Sequence, residues 1–331
     1  MMSEKWLVGV DLGGTTVKIA FITDSGDIVH KWEISTDKSE QGNKIPSNIA
    51  RAIDEKLMEI GETKSKLSGI GIGAPGPVNE MDGSIYVAIN LGWRNFPLRD
   101  LLSLETALPV VVDNDANVAA IGEMWKGAGE GANDLLCVTL GTGVGGGVIA
   151  NGEIVHGVNG AAGEIGHITS VVEEGALCNC GKSGCLETVA SATGVVRLAT
   201  TALTSIGTPS TLRDVYNETN ELTAKLIFEA AKARDELAVN VVNELAFHLG
   251  FSLANMANVL NPEKIVIGGG VSKAGDTLLN PVREQFHRFA FPRVAEGAEL
   301  IIATLGNDAG VIGSAWLAKT KLAACRELLI T

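Results

Sequence analysis

The chain reads as an α/β protein made of two similar halves that face each other across a cleft. Three observations lead there. Apolar runs of strand type alternate with helical patterns along the whole length. Two separate stretches repeat one order of strand, Gly/Thr bend, apolar strand and glycine turn. The 331 residues, 46% apolar and 20% charged, can build a sizeable core and suit about two domains.

The first repeat opens on Trp6-Leu7-Val8-Gly9-Val10, enters Asp11-Leu12-Gly13-Gly14-Thr15-Thr16, and returns as Val17-Lys18-Ile19-Ala20-Phe21-Ile22. A turn at Asp24-Ser25-Gly26 leads to a third strand from about Asp27. Next come a helical pattern from about Ile45 to Ile60 and a buried strand from Leu67 to Gly73, ended by Ala74-Pro75-Gly76-Pro77. Another strand, Pro109-Val110-Val111-Val112, runs into Asp113-Asn114-Asp115, whose short polar side chains can cap a helix starting near Ala116. The second repeat spans Val138 to Val155 and contains the bend Gly141-Thr142-Gly143-Val144-Gly145. A long helix from about Asp235 to Val259 precedes the strand Lys264-Ile265-Val266-Ile267, which ends in Gly268-Gly269-Gly270 before another helix. A strand from Leu300 to Ala303 and a helix after Asn307-Asp308 close the alternation.

Charge narrows the partners. A formal net charge of −13, with no cluster of Lys and Arg, argues against a nucleic-acid backbone and for a small molecule. The N-terminal residues lack the apolar core of a signal peptide, and glycines and polar residues interrupt every apolar run short of a membrane span. With reduced thiols, this predicts a cytoplasmic protein without membrane partners.

The chemistry concentrates in a few motifs. In the two bends, residues without side chains let backbone N–H groups converge on an anion, and Thr hydroxyls add donors. Bulk at Gly14 or Gly143 should therefore impair use of a phosphate-bearing ligand and leave affinity for any other substrate nearly intact. Gly268-Gly269-Gly270, between a strand and a helix, offers backbone to a nucleotide in the same way. Asp11, at the first strand end, is a candidate for holding Mg2+ through water; a turn-forming aspartate is an equal alternative. Asp115 and Asn114 leave a strand end where α/β proteins place ligand groups, and a carboxylate there can accept a proton from a substrate hydroxyl. Glu123, farther along that helix, reads as a surface or supporting group without a catalytic role.

Gly163-Glu164-Ile165-Gly166-His167 is followed by Cys178-Asn179-Cys180-Gly181-Lys182-Ser183-Gly184-Cys185-Leu186-Glu187. His167, Cys178, Cys180 and Cys185 are the ligand set of a closed Cys3His zinc site. An iron-sulfur cluster is the alternative, but the tight Cys178-x-Cys180 pair with a histidine suits tetrahedral zinc better. Glu164 and Glu187 flank the set without being needed by the metal, and are free to accept hydrogen bonds from the hydroxyls of a sugar. Cys137, in an apolar run, and Cys325, in a helical stretch, read as buried or inert thiols. Five cysteines make a poor disulfide framework for a chain of this length.

Taken in order, Asp11-Leu12-Gly13-Gly14-Thr15, Asp113-Asn114-Asp115-Ala116-Asn117, Leu140-Gly141-Thr142-Gly143-Val144-Gly145, Gly163-Glu164-Ile165-Gly166-His167 and the cysteine block resemble the ROK-family sugar kinases, most nearly the bacterial ATP-dependent glucokinases. The resemblance spans the chain. It implies two ribonuclease-H-like domains of actin/hexokinase type closing on ATP and sugar. The smaller would comprise 1–113 with a helix of about 307–331, and the larger 114–306 with the zinc loop. It makes Asp115 the general base on the glucose 6-hydroxyl, with Gly76, Asn90, Asn114, Glu164, His167 and Glu187 binding sugar. His167 would use one ring nitrogen for structural Zn2+ and the other for sugar. ATP and Mg2+ would meet Asp11, Gly13, Gly14, Thr15, Thr16, Lys18, Gly141, Thr142, Gly143, Gly145, Gly268, Gly269 and Gly270. The family's usual assembly implies a homodimer or homotetramer.

Two further readings differ in class. A ROK repressor would place a DNA-reading helix-turn-helix ahead of this body, yet the first bend begins almost at the N-terminus. A non-catalytic sugar-sensing or actin-like protein would leave Asp115, Glu164 and Glu187 without a task. Among kinases, an N-acetylmannosamine kinase shares the cysteine block, whereas Asn90-Leu91-Gly92-Trp93 and the residues after Cys185 look more like glucokinase.

Overall fold

The computed structural model describes residues 5–205, 207 and 209–328. In chain order its elements are β1 (Trp6–Leu12), β2 (Thr16–Ile22), β3 (Ile28–Ser35), α1 (Ile45–Glu59), β4 (Leu67–Ala74), β5 (Ile85–Ala88), β6 (Trp93–Phe96), α2 (Leu98–Thr106), β7 (Val110–Asn114) and α3 (Asp115–Lys126). There follow β8 (Leu135–Leu140), β9 (Val144–Ala150), β10 (Glu153–Ile154), α4 (Glu187–Ala190), α5 (Ala192–Ser205), α6 (Thr211–Thr219), α7 (Ala224–Lys232) and α8 (Glu236–Leu260). The series ends with β11 (Lys264–Gly268), α9 (Asp276–Phe289), α10 (Pro292–Gly297), β12 (Glu299–Ile302) and α11 (Ala309–Leu328).

The repeat read from the sequence is a repeat of sheet plan. One sheet has the order β3-β2-β1-β4-β7 and the other β10-β9-β8-β11-β12. In each, the first strand pairs antiparallel with the second and parallel with the fourth, so both have the ribonuclease-H-like arrangement.

The chain forms two compact units, one of 1–131, 154–162 and 305–331, the other of 132–153 and 163–304. The expected boundary after residue 113 therefore moves to Gly131, and the expected smaller and larger domains come out nearly equal in length. The reason is packing. α3 lies along α11 and against β4, so it completes the first unit.

In the first unit, period-two alternation assigns the strands' two faces. Val8, Val10, Leu12, Ile70 and Ile72 point into one buried cluster with Ile49 and Ile53 of α1. Leu7, Ala20 and Ile22 point the other way, onto Val311, Ile312, Ala315 and Ala318 of α11. On that second side β1 and β4 carry glycines: a Cβ at Gly9 would strike the Val311 carbonyl, and one at Gly71 the Ser314 carbonyl. The helix consequently lies close enough for the Ser314 hydroxyl to donate to the Val10 carbonyl at 2.8 Å. Overpacking such a contact by one methyl costs about 1–3 kcal/mol.

In the second unit, α8 packs against α5, α7 and α9. Asp235 caps it, accepting from the Ala238 amide at 3.1 Å, and Asn261 ends it in the left-handed conformation at φ 48°. Contrary to the interruption read from the sequence, α8 is long and apolar enough to cross a membrane, but most of it is buried inside the unit as a core helix. Cys137 is buried in β8, as expected, whereas the side chain of Cys325 lies outside the described residues.

Candidate active site

In the first unit, the bend between β1 and β2 is closed by the Gly13 amide on the Thr16 carbonyl at 3.0 Å and by the Thr36 hydroxyl on the Gly13 carbonyl at 2.8 Å. Gly13 and Gly14 are not in the left-handed region, so turn geometry does not require glycine there. A Cβ at Gly14 would come within 3.1 Å of Nδ2 at the end of the exposed Asn90 side chain. Asp11 and Lys18 are cross-strand neighbours and form an ion pair of 3.0 Å. The two expected nucleotide-binding residues thus neutralise one another while both stay partly exposed.

β4 and β7 end side by side, with Ala74 paired to Asn114. Gly76 follows at φ 90°, a conformation that favours glycine, and its carbonyl accepts from Asn114 Nδ2 at 3.2 Å. Asn114 is also the cap of α3, its Oδ1 accepting from the Ala116 and Asn117 amides at 2.9 and 3.3 Å. Capping and presentation are one arrangement: the cap fixes Asp115 at the first helical position, where its carboxylate accepts from the Ala116 amide at 2.9 Å.

Beneath this turn Asp113 meets two residues the sequence did not single out, His156 and, through it, Glu80. Asp113 is 2% exposed; its Oδ1 accepts from the Asn114 amide at 2.7 Å and from Asn117 Nδ2 at 2.9 Å. Its Oδ2 lies 2.7 Å from His156 Nε2, and His156 Nδ1 lies 2.7 Å from Glu80. Nothing local marks His156, since Asp113 is 43 residues away in the chain. Of the two readings of Glu123, surface or supporting, the supporting one holds. It is buried and holds the Ala128 and Leu305 amides, each at 2.9 Å, so it is a structural staple and not a surface group.

In the second unit, the bend between β8 and β9 is closed by the Gly141 amide on the Gly143 carbonyl at 2.9 Å, and Thr193 Oγ1 donates to the Thr142 carbonyl at 2.8 Å. Glu187, first residue of α4, accepts the Val144 amide on Oε2 at 3.1 Å and faces Cys178 Sγ with Oε1 at 3.6 Å. It therefore has a structural task, tying the bend to the cysteine loop, which the sequence did not give it. A Cβ at Gly143 would collide with this carboxylate. Bulk at Gly143 would therefore displace Glu187 as well as fill the bend.

One donor atom from each of His167, Cys178, Cys180 and Cys185 lies within 4.8 Å of every other. His167 Nδ1 is 3.5 Å from Cys178 Sγ, and the Cys180 and Cys185 sulfurs are 3.6 Å apart. A tetrahedron with Zn–S bonds of about 2.3 Å has edges of roughly 3.5–3.8 Å, which these two separations match, and the donor set suits zinc in chemistry. With Nδ1 turned to the cluster, His167 Nε2 faces outward, 3.7 Å from Glu164 Oε2. Burial pushes the Cys178 thiol up to about 12, a penalty on the thiolate that a cation at this point would offset.

Gly268-Gly269-Gly270 leads into a short 3-10 turn, Val271–Ala274, with α9 beginning after it. Gly269, at φ 83°, is pressed onto Leu140. Gly270 has open space around it and lines a cavity of about 510 Å3 with Lys225, Phe228, Lys232, Val271 and Lys273. Those five residues were missed. α7 carries no motif, and only its place beside the glycine run gives it a part.

The ROK family model matches residues 7–321. This chain belongs to the ROK family. It is 61% identical over 318 residues to a glucokinase of Halalkalibacterium halodurans, covering 96% of each chain. It is 34% identical to a glucokinase of Thermotoga maritima, over 97% of this chain and 99% of that one. Among solved structures, the ROK glucokinase of Streptomyces griseus in complex with glucose and AMPPNP superposes with a TM-score of 0.77 at 36% identity, over 94% of this chain and 98% of that one. The ROK chain has both expected ribonuclease-H-like units. Within each, candidate residues meet: Gly14 with Asn90 and Gly76 with Asn114 in one, Glu187 with Val144 and the cysteine cluster in the other.

Proposed function

We propose that this ROK chain is a glucokinase, transferring the terminal phosphoryl group of ATP to the 6-hydroxyl of glucose. The observation that carries the reading is 61% identity along nearly the whole length of a glucokinase. Phosphoryl transfer asks mainly for positioning and charge neutralisation, and the residues divide accordingly. Asp115 takes the proton of the 6-hydroxyl as that oxygen attacks phosphorus. Gly76, Asn90, Asn114, Glu164, His167 and Glu187 hold the sugar. The two bends, with Gly13, Gly14, Thr15, Thr16, Gly141, Thr142, Gly143 and Gly145, give amides and hydroxyls to phosphate oxygens.

The cavity beside Gly270 supports a place for the nucleoside, since Phe228 and Val271 offer apolar surface and three lysines offer positive charge. Asp11 would hold Mg2+ through water, with Lys18 keeping its carboxylate in place. His167, Cys178, Cys180 and Cys185 would hold Zn2+, whose contribution is to fix the loop between Glu164 and Glu187. The His167 Nε2–H is then left to donate to a sugar hydroxyl. We place the enzyme in the cytoplasm as a homodimer or homotetramer.

The test is turnover of Asp115→Asn with glucose and ATP, read by ADP release. The amide keeps shape and hydrogen bonding but cannot take a proton, so kcat should fall by about 10² to 10⁴ while glucose still binds. A fall of less than about tenfold would move the base elsewhere.

A further inference from the structure

We propose that His156 is a positioning residue for this active site: an imidazolium clamped between Asp113 and Glu80 that fixes the aim of Asp115. The proposal rests on the reading of Asp115 as general base. Its own ground is the geometry of the ring. Both nitrogens of His156 face a carboxylate, at 2.7 Å each, and the side chain is only 10% exposed. A neutral imidazole carries one N–H and one lone pair, so it would satisfy one carboxylate and turn a lone pair on the other. Only the doubly protonated ring donates to both.

The clamp reaches Asp115 through atoms already placed. The Asp113 oxygen not used by His156 holds the Asn114 amide and Asn117 Nδ2, and so fixes the turn from β7 into α3. Glu80 belongs to the loop that starts at Gly76, whose carbonyl is tied to Asn114. His156 itself is anchored by its carbonyl, which accepts from the Ala162 amide at 2.9 Å, while Gly160 packs on the Val78 carbonyl. The segment 154–162 therefore joins two neighbouring strand ends of the first unit, both carrying candidate sugar-binding residues.

The charged groups facing the ring are Asp113 on β7, Glu80 in the 75–84 loop and Lys321 on α11. Burial disfavours the imidazolium. The hydrogen bond and charge of Asp113 and the charge of Glu80 outweigh burial and Lys321, so the group titrates above the ordinary histidine range. A folded-state value raised above the unfolded one means that the clamp is fully present below about pH 6.5 and is lost as pH rises through the raised value. Turnover should therefore decline on the alkaline side as Asp113 loses its partner.

The experiment is the pH profile of kcat at saturating glucose and ATP for the wild type, Glu80→Gln, His156→Gln and Asp115→Asn, with melting temperatures at each pH. Glu80→Gln should move the alkaline decline to lower pH, because the imidazolium loses one of its two countercharges. His156→Gln should lower kcat about tenfold, leave the KM for ATP unchanged and flatten the decline. The proposal is overturned if Glu80→Gln leaves the decline where the wild type has it, or if His156→Gln keeps the wild-type kcat and profile. Should His156→Gln fail to fold, Glu80→Gln decides alone, since its carboxylate is half exposed. Low turnover of Asp115→Asn with an unshifted Glu80→Gln profile rejects the clamp and spares the base. Wild-type turnover of Asp115→Asn rejects the base and, with it, what the clamp is for.

Discussion

Replacing Gly143 with alanine separates a bend that only clasps phosphate from one that also holds a sugar ligand. The new Cβ would overlap the Glu187 carboxylate and lie 3.1 Å from its Cδ. Glu187 must then leave the Val144 amide, a bond to a charged acceptor contributing about 1.5–3 kcal/mol. A glucose hydroxyl that relied on the same carboxylate loses a partner of similar strength, or roughly 10- to 150-fold in affinity. Gly141→Ala is the control, because a Cβ there finds only the Gly143 carbonyl oxygen, at 4.0 Å. Glucose binding without nucleotide, measured by calorimetry, should weaken at least about tenfold in Gly143→Ala and stay unchanged in Gly141→Ala. If Gly143→Ala weakened ATP use and left glucose affinity at the wild-type value, the link through Glu187 would be refuted.

Cys180→Ser, or chelation of the wild type, should lower zinc content and melting temperature together, because binding energy at such a site is partly folding energy; active, equally stable protein that elemental analysis finds free of metal would contradict this. In competition assays glucose should be preferred over N-acetylmannosamine and fructose by about a hundredfold in kcat/KM, roughly 2.7 kcal/mol, since an acetamido group or a differently puckered ring leaves Glu164, Glu187 and His167 short of hydroxyl partners. Preferential phosphorylation of N-acetylmannosamine would move the enzyme to another sugar. Burial pushes the Asp235 carboxyl up, but the Ala238 and Thr211 amides and the Ser210 and Thr211 hydroxyls outweigh it, so it titrates below the usual carboxylate range. Its stabilisation is present above the unfolded value and lost as pH falls through the folded one. Asp235→Ala should cost about 1 kcal/mol at neutral pH, and denaturant titrations should show the gap closing in acid; an undiminished gap there would assign the loss to something other than charge.

Where the determinants are local, the sequence is a good guide. The two bends, the α8 boundaries set by Asp235 and Asn261, and the four donors of the cysteine block all appear where residue type and spacing place them. The β5–β6 hairpin has strands of four residues each, too short for a periodicity to register. The helices α4 to α7 passed unread, and with them the cavity beside Gly270. His156 against Asp113 and Glu187 against Val144 each join residues 43 apart. Neither pairing has a spacing rule; each exists only once the strands are laid side by side. Segment 154–162 is the sharpest instance, since it begins within the last residues of the second repeat and yet folds into the first unit.

The seating of α11 on β1 and β4 carries a consequence for how the molecule comes into being. The ribosome makes the glycine-lined face of β1 roughly 300 residues before the helix that covers it, and at about 5–20 residues per second that interval is on the order of 15–60 s. The second unit is drawn from an unbroken run apart from segment 154–162, and all its strands exist before α11 has been synthesised. The unit that starts first is thus finished last. Throughout the interval Leu7, Ala20 and Ile22 have no helix to bury them, which leaves the earliest strands of the nascent chain as the surface most in need of chaperoning.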